Sequence, residues 1–170
     1  RLAARGMRTY ICARDEAVVA ETVKALQAKG FDVDGSSCDV GVPAQVEALA
    51  RRVRDRYGPI EVLVNNAGRP GGGVTAELDD DLWFEVINTN LSSVFLMTKQ
   101  ALTTGGMLEL GQGRIVNIAS TGGKQGVVFA VPYSASKHGV GGLTKALGLE
   151  LATTGITVNA VCPGFVETPM

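Results

Sequence analysis

Residues 117–142 read NIASTGGKQGVVFAVPYSASKHGVGG, and the rest of the chain is organised around this run. It opens on an apolar, β-prone segment, residues 115–119, and passes through Ser120 into a glycine-rich loop. Pro132 and Tyr133 then enter a helix that carries Lys137 one turn later. Tyr133 and Lys137 are four residues apart, so a helix stacks them along one face. A phenol beside a fixed ammonium is set up to give away its proton, because the opposite charge favours the phenolate. Ser120 stands thirteen residues before Tyr133, at the carboxyl end of the strand, where open α/β sheets place their ligands. Together these groups make a proton-transfer site.

Outward from that stretch, strand-like and helix-like segments alternate. Residues 9–13 (TYICA) are β-prone, and residues 16–29 carry Val19, Val23 and Leu26 as a helical stripe with Gly30 as its stop. Residues 31–35 make a weak strand ending near Cys38, Asp39 and Val40. Pro43 starts a second helix through Tyr57, with Val46, Leu49 and Val53 on one side and Arg51, Arg52, Arg54 and Arg56 largely on the other. The arginines read as a solvated face. Gly58 and Pro59 break that helix, and residues 60–64 are the clearest strand of the first half. Asn65-Asn66-Ala67-Gly68 and a second glycine-rich loop, Arg69-Pro70-Gly71-Gly72-Gly73, follow it. One long helix is expected over residues 79–104, with Trp83, Phe84, Ile87, Leu91, Val94 and Phe95 along it. The helix from Tyr133 is expected to reach Thr153, and residues 156–161 form a last strand.

Near-continuous apolar strands such as EVLV and TVNAV suit a parallel sheet covered on both faces. No internal repeat or linker interrupts the pattern. The expected fold is therefore α/β, a Rossmann-like doubly wound parallel sheet with helices on both faces, in a single domain over residues 1–170.

At 45% hydrophobic residues the chain can bury a real core. Sixteen Lys and Arg against seventeen Asp and Glu leave no basic footprint for nucleic acid or an anionic membrane. No apolar run approaches membrane-spanning length and no secretory signal opens the chain. Cys12, Cys38 and Cys162 are scattered among strand-like surroundings, which fits buried thiols in a reducing compartment and not a metal site. A cytoplasmic location follows as the expectation. Residues 1–6 (RLAARG) read as the last turn of a helix meeting a glycine stop, and the final PGFVETPM halts in a loop. The chain is accordingly expected to be an internal piece of a longer protein, truncated at both ends.

Four motifs in order carry a family resemblance: NNAG at 65–68, the strand-end Ser120, the YxxxK of Tyr133 and Lys137, and Pro163-Gly164 with Thr168. Together they resemble the short-chain dehydrogenase/reductase family over the whole chain. The resemblance implies that Tyr133 is the general acid that protonates a carbonyl oxygen, that Lys137 supports it and binds the nicotinamide ribose, and that Ser120 holds the substrate carbonyl. It also implies that Asn90, in Asn88-Thr89-Asn90, steadies a water in a proton relay. His138 lies round the helix from the Tyr133/Lys137 face and reads as packing or surface. Trp83 reads as core or interface.

The same resemblance implies cofactor contacts. Asn66, Ala67 and Gly68, with Asn65 before them, form a side-chain-poor turn that the adenosine half approaches closely. Asp39, with Val40 beside it, resembles the residue that binds the adenine amine; a strand-end cap explains Asp39 nearly as well. Arg14 follows the strand at which NAD enzymes place an acid, so a 2′-phosphate and NADPH are favoured, although Asp15 and Glu16 come next. Pro163, Gly164, Val166 and Thr168 match the loop that contacts the nicotinamide amide and phosphates. The family's first strand and its glycine-rich pyrophosphate loop have no counterpart in the sequence.

Finer detail in the two glycine-rich loops and in residues 134–140 (SASKHGV) is similar to the ketoreductases of aromatic, type II polyketide biosynthesis. That group reduces one ketone of an acyl carrier protein-bound poly-β-ketone chain with NADPH. The resemblance places Pro70, Gly71, Gly72 and Ser120 at the substrate, and Gly122, Gly123 and Gly126 on the floor of its cleft. Arg69 and Lys124 could meet the carrier protein or its phosphopantetheine, although solvated charge explains both equally well. Gly139, Gly141, Gly142 and Gly148 each cost a helix about 1 kcal/mol against Ala, which points to a close-packed neighbour. The family places a subunit contact there, so a homo-oligomer, a tetramer, is expected. The alternatives are a fatty-acid-type 3-oxoacyl-carrier-protein reductase, a reductase of small ketones, or a non-catalytic NADP-binding sensor on the same fold.

Overall fold

The computed structural model of the chain describes residues 1–166. Five strands and six helices follow one another: β1 (Thr9–Ala13), α1 (Glu16–Gln27), β2 (Val33–Ser37), α2 (Pro43–Tyr57), β3 (Val62–Asn65), α3 (Asp80–Ile87), α4 (Ser93–Leu102), α5 (Met107–Leu110), β4 (Gln112–Ile118), α6 (Val131–Glu150) and β5 (Gly155–Val161). Every strand pair is parallel. The strands form two separate groups, β1 beside β2 and β3-β4-β5 in that order.

Local chemistry sets the boundaries. Asp15 caps α1 by accepting from the Val18 N–H, and Asp79 caps α3 by accepting from the Asp81 N–H. Pro43 opens α2, and Gly58, with a φ of 86°, closes it in a conformation other residues avoid.

Alternation along β1 sends its side chains to two layers. Ile11 and Gly35 lie against Val19 of α1, whereas Tyr10 and Cys12 pack with Val46, Leu49 and Val53 of α2. Helices therefore cover both faces of the β1–β2 pair. On β3-β4-β5, α4, α5 and α6 share one face: Leu63, Ile115, Ile156 and Val158 pack there with Ala101, Leu102, Met107 and Leu151. Val64 and Val161 remain exposed on that sheet.

The expected long helix over residues 79–104 is continuous through α3 and α4 but carries one irregularity within it. A five-residue π turn, Asn88–Ser92, lies between α3 and α4 and carries Asn90 into the interior, where it is 1% exposed. The extra residue in a π turn re-aims one side chain without ending the helix, a device frequent at functional sites. The apolar pattern ran through the π turn because Phe84 and Phe95, 65% and 54% exposed, belong to the outer surface. The short α5 was also not expected; Gly106 and Gly111, both left-handed, bracket it. Gly139 is explained within the chain, since a Cβ there would stand 2.7 Å from Leu91 of the π turn. For this glycine the expected close neighbour is intramolecular and not a second subunit. Gly141 and Gly142 face open space.

A cavity of about 840 Å³ lies between the two strand groups, lined by every residue of β1 and β3 and by Val46, Leu49 and Val53 of α2. The carboxyl ends of β1 and β3 open on it.

Candidate active site

The site is built where β3, β4 and β5 end. Asn65 and Asn117 are register partners on β3 and β4, both buried. The Asn65 amide donates to Asn117 Oδ1 at 2.8 Å and to Thr98 Oγ1 of α4 at 3.3 Å, and Asn117 donates to Thr144 Oγ1 of α6 at 2.9 Å. This chain of polar groups runs from α4 through two strands to α6 and fixes both helices on the sheet just beneath the strand ends. Each member finds a partner, as a buried polar group must.

Two residues past β4, Ser120 begins a tight 3₁₀ turn, Thr121–Gly123, and its Oγ accepts from the Gly122 N–H at 3.1 Å. That bond uses a lone pair, so the hydroxyl proton is left for another acceptor. Gly122 lies between Ser120 and the phenol: a Cβ on it would be 3.4 Å from Tyr133 Cε1 and 3.5 Å from Ser120 Oγ. Gly123 is pressed against α6, where a Cβ would fall 2.6 Å from the Lys137 carbonyl oxygen. Glycines at 122 and 123 thus allow the serine turn to seat directly on the helix of Tyr133. Gly126 faces open space.

Lys137 is 5% exposed, and its Nζ donates to the Ile118 carbonyl at 2.8 Å while standing 5.8 Å from the centroid of the Tyr133 ring. Burial pushes the Lys137 ammonium below its usual pKa. Among the described residues no carboxylate forms an ion pair with this lysine.

Asn90 closes the group from the π turn. Its Oδ1 accepts from the Arg69 N–H at 2.8 Å, and its Nδ2 donates to the Arg69 carbonyl at 3.0 Å and to Ser136 Oγ at 3.1 Å. Ser136 in turn donates to the Tyr133 carbonyl at 2.7 Å. A Cβ on Gly68 would lie 3.4 Å from Asn90 Oδ1 and 3.6 Å from Lys137 Nζ. The NNAG turn, Asn90 and Lys137 therefore meet at one point. Sequence reasoning passed over Ser136 and the two-way grip of Asn90 on residue 69, which arise from contacts far apart in the chain.

The remaining candidates divide into groups. Arg14, Asp39, Val40, Asn66, Ala67 and Gly68 all line the cavity between β1 and β3. Arg14 is exposed at its rim. Asp39 Oδ1 accepts from the Gly41 N–H at 2.9 Å, so this carboxylate also caps the end of its strand. Pro163 is tied to the serine turn, its carbonyl accepting from the Thr121 N–H at 2.9 Å; Gly164 and Val166 are exposed beyond it. Thr168 lies outside the described residues. Pro70, Gly71 and Gly72 form a loop whose far end touches the segment before α6, the Gly73 N–H donating to the Phe129 carbonyl at 2.7 Å. Arg69 is paired with Glu85, and His138 is exposed, its Nδ1 bonded to the Ser134 carbonyl. Trp83 is half-buried, and Arg54 and Arg56 pair with Glu109 and with Asp32 and Asp34. Cys12, Cys38 and Cys162 are free thiols, and among the described residues no cluster of His, Cys, Asp or Glu could hold a metal.

Comparison with known proteins places this geometry. A ketoacyl reductase of the granaticin polyketide synthase of Streptomyces violaceoruber is 71% identical over 170 residues, which is 100% of this chain and 62% of that protein. A ketoacyl reductase of Streptomyces coelicolor is 66% identical over 170 residues, 100% of this chain and 65% of its own. Among solved structures, a variant of the actinorhodin polyketide ketoreductase with NADPH superposes with a TM-score of 0.96 at 65% identity, over 99% of this chain and 64% of that one. The chain thus spans just under two thirds of the length of these proteins. The short chain dehydrogenase family profile matches residues 1–170. With the Ser120, Tyr133 and Lys137 arrangement on the strand ends, this match makes the chain a member of the short-chain dehydrogenase family.

Proposed function

We propose that the chain is the main part of an NADPH-dependent ketoreductase that reduces one ketone of a carrier-protein-bound poly-β-ketone chain to a secondary alcohol. The observation that carries this reading is the buried Lys137, held on the Ile118 carbonyl beside the Tyr133 ring, with Ser120 one glycine away. High identity to ketoacyl reductases of polyketide synthases supports the choice of substrate class.

The cavity wall suits the cofactor. Arg14 places a cation at the rim for a 2′-phosphate, and the side-chain-poor Ala67 and Gly68 leave the cavity open to close approach beside Lys137. Asp39, Val40 and Asn66 would hold the adenosine half, and Pro163, Gly164 and Val166, with Thr168, the nicotinamide half. When bound, NADPH supplies the hydride.

Ser120 donates its free hydroxyl proton to the ketone oxygen and fixes the carbonyl beside the phenol. Tyr133 then gives its proton to that oxygen as the carbonyl carbon is reduced, so hydride and proton together complete the CH–OH group. The phenolate left behind faces the Lys137 ammonium, whose hydrogen bond to Ile118 holds the charge in position. Asn90 and Ser136 keep the NNAG loop and the Tyr133 turn in register.

The reading extends to a cytoplasmic homotetramer, supported by the exposed Phe84 and Phe95 and the open helix surface at Gly141 and Gly142. No helix among the described residues is long and apolar enough to cross a membrane. The deciding experiment uses the intact protein. NADPH oxidation should be followed with a carrier-protein-bound poly-β-ketone and with a simple 3-oxoacyl carrier protein, for wild type and Tyr133→Phe. Preference for the poly-β-ketone, lost in Tyr133→Phe, is expected. Preference for the simple acyl chain would make the protein a fatty-acid-type reductase, and full activity in Tyr133→Phe would overturn the mechanism.

A further inference from the structure

Phe129 has a φ of 57°, and among the described residues it is the single non-glycine in the left-handed region. A bulky side chain is costly there, and such a conformation persists only where surrounding contacts impose it. Those contacts are not made by the ring, which is 65% exposed. They are made by the backbone. The Phe129 carbonyl accepts from the Gly73 N–H at 2.7 Å, and Gly72 lies so close that a Cβ on it would be 2.0 Å from the same oxygen and 2.9 Å from Ala130 Cα.

Both partners are anchored at their other ends. The glycine loop is gripped by Asn90 at Arg69, and Gly71 is pressed on α3, where a Cβ would meet Val86 Cγ2 at 2.3 Å. The Phe129 side is folded onto the first turn of α6. The Ala130 N–H donates to the Val127 carbonyl at 3.2 Å, the Ser134 N–H to the Ala130 carbonyl at 2.8 Å, and the Val127 N–H to Ser134 Oγ at 3.2 Å. Tyr133 sits within that turn. The α3 side of the cleft is thereby joined to the phenol through main-chain contacts.

We infer that Gly72, Gly73 and Phe129 form a backbone latch that positions Tyr133 over the substrate carbonyl. The strained φ at Phe129 aims its carbonyl at Gly73, and the absent Cβ at Gly72 lets the two segments touch. Phe129 is a positioning residue: it acts through Tyr133 and not on the reacting atoms. The role in turnover rests on the reductase reading above; the latch itself does not.

The test uses the intact protein with Gly72→Ala, Phe129→Gly and the double variant. Gly72→Ala forces the segments apart, and about a tenfold or greater fall in kcat with little change in the KM for NADPH is expected, together with a changed ratio of the two alcohol enantiomers. Phe129→Gly accepts the positive φ without strain and keeps the carbonyl that Gly73 reaches, so its melting temperature should hold or rise and kcat should stay within about twofold of wild type. The double variant should lose no more than Gly72→Ala alone, because the methyl at residue 72 is the change that breaks the contact. A further loss in the double variant, or an unchanged kcat and enantiomer ratio in Gly72→Ala, would overturn the proposal. Hydrogen exchange separates the two readings. A Gly73 amide protected in wild type and released in Gly72→Ala supports the latch even if the protein reduces no ketone; a freely exchanging amide in wild type sinks it.

Discussion

Lys137 reaches across the end of β4 to the carbonyl of Ile118, 2.8 Å away, and is nearly fully buried as it does so. The chain thus keeps an ammonium where water cannot stabilise it, next to the one phenol of the site. Desolvation lowers its pKa, so the charged form opposes folding. The sign is the reverse of a lysine that gains an acidic partner. The opposition is complete below the lowered pKa and fades as pH rises from there through the ordinary value of 10.5. Lys137→Met in the intact protein should lose ketone reduction yet gain thermal stability over wild type near neutral pH. That gain should shrink as the pH approaches 10.5; a gap independent of pH would contradict the burial argument.

Gly123 allows the serine turn to rest on α6. Gly123→Ala places a methyl 2.6 Å from the Lys137 carbonyl oxygen and 2.7 Å from its carbon, both backbone atoms that cannot rotate away. Destabilisation of about 1–3 kcal/mol is expected from overpacking of this kind. Denaturant unfolding would measure it, and Gly126→Ala, where no atom lies within 4 Å, serves as the contrast that should show almost none.

Asn65 holds two strands and a helix together. Asn65→Ala leaves the Asn117 oxygen buried without its donor, which costs about 1–3 kcal/mol. The denaturation midpoint should fall accordingly. Because Asn65 and Asn117 share one hydrogen bond, their individual losses should not add in the double variant.

Under the proposed function Arg14 meets the 2′-phosphate of the cofactor. Arg14→Ala should raise the KM for NADPH roughly ten- to hundredfold, the worth of charge-assisted hydrogen bonds at about 1.5–3 kcal/mol, while KM for NADH changes little. Steady-state kinetics with both cofactors decides it. An equal effect on the two would remove Arg14 from the phosphate and make it a general binding contact.

Cys38 tests the reading of the thiols as core. Burial pushes its pKa up to about 11, with the neighbouring Cys12 and Asp39 adding to the effect. It should remain unmodified by alkylating reagents at neutral pH while the protein is folded, and react on unfolding, as mass spectrometry would show.

Local signals in the sequence were strong where one residue type has one use. Pro43 and Gly58 bracket α2 and gave its ends to the residue, and the β-prone run TYICA gave β1. The strands β2 and β3 each begin two residues later than expected, since nothing in the run from Ile60 or Phe31 marks where pairing begins. The π turn at Asn88–Ser92 was not legible because apolar spacing continues across it on residues that prove to face outward. At the candidate site, the four-residue spacing of Tyr133 and Lys137 sufficed to place them together. The Asn90–Arg69 grip and the contact between Gly72 and Phe129 were invisible because each joins loops brought together only by the sheet. The glycine at 139 was readable as a close approach, but its partner, Leu91, lies on a turn the sequence did not announce.

The gap between β1 and β3 bears on where the sheet can still accept chain. The edges of β1 and β3 that line the cavity pair with no strand across it and carry unspent backbone donors and acceptors. An extended segment lying along either edge would add a strand to that group. The sheet's capacity to grow thus lies at its centre, along β1 and β3, and not at its outer strands alone.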